Sequence, residues 1–292
     1  MLSRDRSGNT VKTFDGQGGI IRFLYGCVFG APLRGILTAR WVSRAAGAFL
    51  SSRPSKAFVP SFVKKNNIDL SDYEKSSFLS YNDFFTRRIK PEKRPFAKGA
   101  GVLPSPCDAK LSICRIESDS RFLIKGQRYT CAELLRDTSL AESFCGGTLM
   151  LFRLTVDDYH RYSYPFDGVQ GDTVHIDGKY HTVNPAAAAA RGIYRENTRE
   201  YTLVDTPLFG KVIMMEVGAM MVGRIVNAEP GAHPVLCGSE KGYFEFGGST
   251  VILMFEKGAV VPDTDIVKNS REGFETVVRM GERVGIGAAS VK

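Results

Sequence analysis

The stretch Phe246-Gly-Gly-Ser-Thr-Val-Ile-Leu-Met-Phe255 sets two glycines ahead of a serine that opens a hydrophobic run. Glycine tolerates backbone angles closed to other residues and leaves the carbonyl before the serine sterically open. A serine hydroxyl held beside that carbonyl can attack it, converting the Gly248–Ser249 peptide bond into an ester by an N→O acyl shift. The attack needs a base for the hydroxyl proton and donors for the oxyanion. Alone, Gly-Gly-Ser-Thr more commonly describes a glycine turn feeding a strand. The chain offers four imidazoles, at His160, His175, His181 and His233, and an imidazole titrates near neutrality, as such a base should. The spacing of His160, His175 and His181 fits no usual metal-ligand pattern, so no metal site is expected. Asp108, in Ser105-Pro-Cys-Asp108, reads from its neighbours as a turn acid capping amides. Asp157 and Asp158 read as solvated loop acids.

The elements that must position these groups fall into two textures. From about residue 100, short β-branched runs alternate with Gly, Pro and Asp turns. Lys211–Val217 and Val251–Phe255 read as strands. Residues 1–19 are polar and read as a flexible lead. Residues 20–65 mix apolar, aromatic and basic residues and read as helical. Leu37, Trp41, Ala45, Ala48 and Phe49 form an apolar stripe flanked by Arg40 and Arg44. The fold class expected is therefore α+β, a basic helical segment over 1–66 followed by a β-rich domain over 67–292.

Charge separates the same two parts. Residues 1–66 hold eleven Lys or Arg against Asp5 and Asp15, a net +9, so the other 226 residues carry −1 of the total +8. An anionic partner should meet the N-terminal quarter. Its amphipathic stripe fits either an anionic lipid surface or packing on its own domain. The near-neutral remainder and the lack of a recognition motif argue against nucleic acid. No apolar run approaches the roughly 20 residues a spanning helix needs. The six cysteines form no C-x-x-C pair, and no secretory signal opens the chain, which points to reduced thiols in the cytosol.

Five ordered pieces carry a resemblance. They are Phe84-Phe-Thr-Arg-Arg-Ile-Lys-Pro-Glu-Lys-Arg-Pro95, Leu103-Pro-Ser-Pro-Cys-Asp108, Asp158-Tyr-His-Arg161 with Pro165 and Gly168, Val217-Gly-Ala-Met-Met-Val-Gly223, and Lys241–Thr250. Together, over roughly residues 20–285, the chain resembles the phosphatidylserine decarboxylases, self-processing enzymes that make phosphatidylethanolamine. The resemblance implies cleavage between Gly248 and Ser249. Loss of the Ser249 α-proton from the ester would expel the Gly248 carboxylate, and hydrolysis of the resulting dehydroalanine would release ammonia. A β chain of residues 1–248 and an α chain of 249–292, capped by a pyruvoyl group made from Ser249, would remain. That covalent pyruvoyl cofactor would form a Schiff base with the serine amine of phosphatidylserine and accept electrons as carbon dioxide leaves, the role of PLP elsewhere.

By the same resemblance, Asp108 orients the cleavage base, and His160, first histidine of the family's Y-H-R-x-H pattern, acts on the substrate side. The second histidine, usually the cleavage base, is Ser163 here. His160 is preferred as its replacement because it sits in the matched motif beside Asp157 and Asp158. His181 is the other imidazole to consider and reads first as a surface or strand-face residue. Arg87, Arg161 and Arg199 are candidate phosphate or carboxylate contacts by charge type. The implied setting is a peripheral protein on the cytoplasmic face of the cell membrane, docked on anionic lipid, with a homodimer compatible with it. An alternative within the family is a chain that never matures and acts as a lipid-binding protein. A serine hydrolase is disfavoured, since no Gly-x-Ser-x-Gly elbow surrounds Ser249.

Overall fold

The computed structural model describes residues 3–11, 23–24, 31–119, 121–124, 127–182, 187, 193–219, 224–245, 247 and 249–288. Its strands are β1 (Ser3–Arg4), β2 (Thr10–Val11), β3 (Val102–Pro104), β4 (Ala109–Arg115), β5 (Arg121–Ile124), β6 (Gln127–Thr130), β7 (Thr148–Leu154), β8 (Arg161–Ser163), β9 (Gly168–Gln170), β10 (Val174–Ile176), β11 (Arg199–Thr206), β12 (Gly210–Val217), β13 (Ile225–Asn227), β14 (His233–Val235), β15 (Glu240–Phe244), β16 (Ser249–Phe255), β17 (Val260–Pro262), β18 (Glu275–Val278) and β19 (Arg283–Gly287). The expected strands at Lys211–Val217 and Val251–Phe255 thus lie within β12 and β16.

The main sheet runs β14-β9-β11-β12-β16-β7-β4-β18-β1-β2, with β10 also on β11. Its central strand, β16, is buried at every position. Successive side chains on a strand point to opposite faces, and both faces here are covered. Phe152, Met214, Val251 and Leu253 join one core, which reaches Tyr162 and Phe244 of the small sheet β13-β15-β8. Leu151, Ile213, Met215 and Ile252 join the other, shared with Leu134, Ala141 and Tyr194 of short helices and with Phe122 and Tyr129 of the β5–β6 hairpin. A strand buried on both sides reads as a continuous apolar run, which is why Val251–Phe255 shows no alternation.

The helical expectation for the N-terminal quarter holds where the chain is described: helices span Ala31–Leu37, Arg40–Leu50 and Val59–Lys65, with a 3₁₀ stretch at Arg53–Phe58 between the last two. A small core of Val59, Phe78, Tyr81, Phe84 and Phe85 anchors them. Trp41, Phe49 and Phe58 nevertheless stay 66%, 51% and 52% exposed. No helix among the described residues is long and apolar enough to cross a membrane.

The flexible lead needs correcting for Ser3–Val11. β1 pairs in parallel with β18, and β2 closes a hairpin on it. The cause is the guanidinium of Arg6, which binds Asp263 at 2.9 Å and also Asp265 and Glu282, while Arg4 pairs with Glu272. Both arginines are thereby neutralised within the protein and removed from the charge open to an outside anion.

Candidate active site

Register brings the candidate residues to one end of the main sheet. Ser249, first residue of β16, faces Leu154, last residue of β7. Lys110 of β4 faces Arg153 of β7, so Asp108, just before β4, and Thr155, just after β7, share that end. β12 and β18 finish there as well, Val217 opposite Thr250 and Val278 opposite Ala109. Sequence positions more than 100 residues apart thus meet because five strands end together. Gly248 and residues 220–223 of the Val217–Gly223 motif lie outside the described residues.

Ser249 is fully buried and its Oγ has no hydrogen-bond partner among the described residues. A buried hydroxyl left unpaired costs about 1–3 kcal/mol, so its retention calls for a chemical reason. His160 carries a second such atom. Its Nδ1 lies 2.9 Å from the Asp158 carbonyl oxygen. A carbonyl only accepts, so Nδ1 holds the proton and Nε2 keeps its lone pair. That Nε2 is buried without a partner among the described residues. The ring lies 4.1 Å from that of Phe85, centroid to centroid. Burial, above all, lowers its pKa to about 3, so the imidazole is neutral at physiological pH.

Asp108 does not contact this ring. It accepts from Arg94 through Nε at 2.8 Å and Nη2 at 2.6 Å, and from the Met280 amide at 2.8 Å. The bidentate pair is largely buried. An Asp108–histidine contact, as the resemblance implies, is therefore absent from the described residues. Ser163 does stand beside this acid: its amide donates to Pro106 O at 2.9 Å, and its hydroxyl reaches Met280 Sδ at 3.8 Å. The position of the family's second histidine thus borders Asp108, with a hydroxyl in place of a ring.

Asp158 is a largely buried anchor, not a solvated acid. It takes Lys110 Nζ at 2.6 and 2.7 Å and the Thr155 amide at 2.7 Å. Burial raises its pKa, with Lys110 opposing. This pair fixes the turn from β7 to His160. His181 also departs from expectation, being buried, with Nε2 3.1 Å from Glu196.

The three arginines proposed by charge type all bond within the protein, although Arg87 Nε stays buried without a partner among the described residues. Arg199 is fully buried and donates to the carbonyls of Leu134, Arg195, Asn197 and Glu133. Arg87 binds Phe84 O and the Tyr73 hydroxyl, and Arg161 binds Thr86 O and Glu240. Sequence reading missed Arg94, which lay inside a quoted motif with nothing to mark its partner. It also missed Lys241–Glu216, a fully buried ion pair at 2.9 Å. Glu216 faces Val251, so it shares a sheet face with Ser249.

Residues 81–286 match the family model described as phosphatidylserine decarboxylase. The chain is 41% identical over 273 residues to phosphatidylserine decarboxylase proenzyme 2 of Clostridium acetobutylicum, covering 92% of each chain. It is 38% identical over 268 residues to a phosphatidylserine decarboxylase proenzyme of Chlamydia caviae, covering 90% of each. A third, from Fusobacterium nucleatum, is 38% identical over 287 residues, covering 96% of each.

Proposed function

The chain belongs to the phosphatidylserine decarboxylase family, and on that premise we propose that it is a proenzyme that cuts itself at Gly248–Ser249 and then decarboxylates phosphatidylserine to phosphatidylethanolamine. The observation that carries this reading is that Ser249 Oγ and His160 Nε2 are both buried and unpartnered among the described residues, Ser249 at the start of β16 and His160 in the turn that follows the end of β7. Ser249 gives its proton to His160 Nε2, and its oxygen attacks the Gly248 carbonyl. The Asp158 carbonyl, holding Nδ1–H, steadies the imidazolium that results. Asp108 serves as a positioning residue here, tying Arg94 and the Met280 loop beside Ser163.

The buried position of Ser249 suits a pyruvoyl group derived from it. That group supplies an electrophilic carbonyl and an electron sink for the carboxylate bond. The protein's own part is to hold the site dry between two cores and to keep His160 neutral, as a base in cleavage and a proton carrier on the substrate side. The relatives are named as proenzymes, which disfavours the non-maturing alternative.

The exposed Trp41, Phe49 and Phe58, beside the exposed Arg44, Arg53, Lys56 and Lys64, support docking on an anionic bilayer from the cytoplasmic side. Each basic residue near such a surface contributes about 1 kcal/mol before screening, and aromatic burial adds to it. The function is tested by thin-layer or mass analysis of phosphatidylserine incubated with the purified chain. Conversion to phosphatidylethanolamine by the wild type and none by Ser249→Ala is expected; equal conversion by both would refute it.

A further inference from the structure

Between the Arg40–Leu50 helix and the sheet body lies a cleft of about 580 Å³. Arg44 and Ser51 line it from the helix side, and Asp177, Tyr180, Arg224 and Glu245 from the body. We infer that this cleft binds the phosphoserine headgroup of a glycerophospholipid, with Arg44 and Arg224 on the phosphodiester and carboxylate and the acids Asp177 and Glu245 toward the ammonium. The inference rests on the proposed decarboxylase reading and gives its substrate a place to enter.

Three observations carry it. First, the cleft adjoins the reacting end of the sheet. Its wall residue Thr198 accepts, through its carbonyl, the amide of Gly218, the residue after β12. Gly218 continues the register in which Val217 faces Thr250, so it comes level with Ser249. Glu245 precedes Ser249 by four positions.

Second, the lining carries both signs. Arg44 forms no ion pair among the described residues, and Arg224, 71% exposed, comes only within 3.7 Å of Glu245. Both guanidinium groups thus keep donors for a bidentate anion. The imidazole of His175, also on the wall, sits between Glu200 at 3.0 Å and Asp177 at 3.1 Å. A purely cationic site would suit any phosphate. Mixed charge suits a ligand that is itself anionic at two points and cationic at a third.

Third, the helix that walls the cleft also bears the exposed aromatics. Trp41 and Phe49 point outward from it, while Ser43, Arg44 and Gly47 line the cleft. A headgroup leaving the bilayer beside those aromatics would meet Arg44 without crossing open water.

The probe is glycerophosphoserine, the headgroup without acyl chains, titrated calorimetrically into uncut full-length Ser249→Ala protein. Saturable binding is expected. Arg44→Gln and Arg224→Gln, both at exposed positions, should each weaken it about tenfold. Trp41→Ala, which removes only a membrane contact, should leave it within about twofold. Glycerol phosphate and inorganic phosphate, lacking the serine, should bind at least about tenfold more weakly. Absence of saturable binding, binding by both arginine variants as tight as without those substitutions, or equal affinity for inorganic phosphate would each overturn the inference. This readout is independent of turnover, so a wild-type chain that fails to decarboxylate phosphatidylserine counts against the function and not against the cleft.

Discussion

Burial of His160 as a neutral ring makes the protein sensitive to acid in a way that can be calculated. Its pKa falls from an ordinary 6.5 to about 3 in the folded chain. Between those values the unfolded chain binds a proton that the folded chain refuses. Stability is therefore lost as pH falls from about 6.5 toward 3, at up to about 1.4 kcal/mol per pH unit. Between pH 7 and pH 4 this one residue removes about 3 kcal/mol. Carboxylates also take up protons as the pH falls, Asp158 among them with its pKa raised by burial, so the informative quantity is a difference. His160→Asn keeps an N–H for the Asp158 carbonyl but cannot titrate. Urea denaturation of both proteins, each carrying Ser249→Ala so that the chain stays whole, gives two stability curves against pH. Asparagine is expected to be the less stable residue at pH 7, and its deficit to shrink by about 3 kcal/mol by pH 4. Parallel curves would mean that the folded ring accepts its proton as it does in water, and the desolvated-base account of His160 would fail.

Breaking the Arg94–Asp108 pair by Arg94→Met leaves a largely buried carboxylate with the Met280 amide, so a loss of about 3–5 kcal/mol is expected in urea unfolding. The double variant Arg94→Met/Asp108→Leu should recover part of it, since no lone charge remains; a double variant no better than the single would deny that the pair is a buried unit. Trp41→Ala and Phe49→Ala should each weaken sedimentation with anionic vesicles about tenfold, in line with about 1.5 kcal/mol for a buried aromatic, while unchanged binding would remove this face from the membrane.

What could be read from the residues alone depended on how local the cause was. The strand after Ser249 was legible because a doubly buried strand is an uninterrupted apolar run. The helices over 31–65 were legible from their stripe. The lead was misread because two-residue strands have no periodicity of their own, and Arg6 finds its acids some 260 residues away. Asp108 was placed by its motif, yet its partner was not, because a guanidinium in a basic stretch looks like any other. Likewise, Arg199 resembled an anion contact until its four carbonyl partners filled it. Asp158 looked solvated because Lys110 is distant in sequence and adjacent only through the β4–β7 register. Long-range register, invisible to any short window, is what gathers the site.

The Gly248–Ser249 bond is decisive, and intact-mass measurement of the purified full-length protein tests its fate most directly. The prediction is two chains divided after Gly248, with the 44-residue fragment from position 249 blocked at its start and its mass matching a pyruvoyl cap instead of serine. A single chain of 292 residues, or a cut that leaves Ser249 with a free amine, would contradict it.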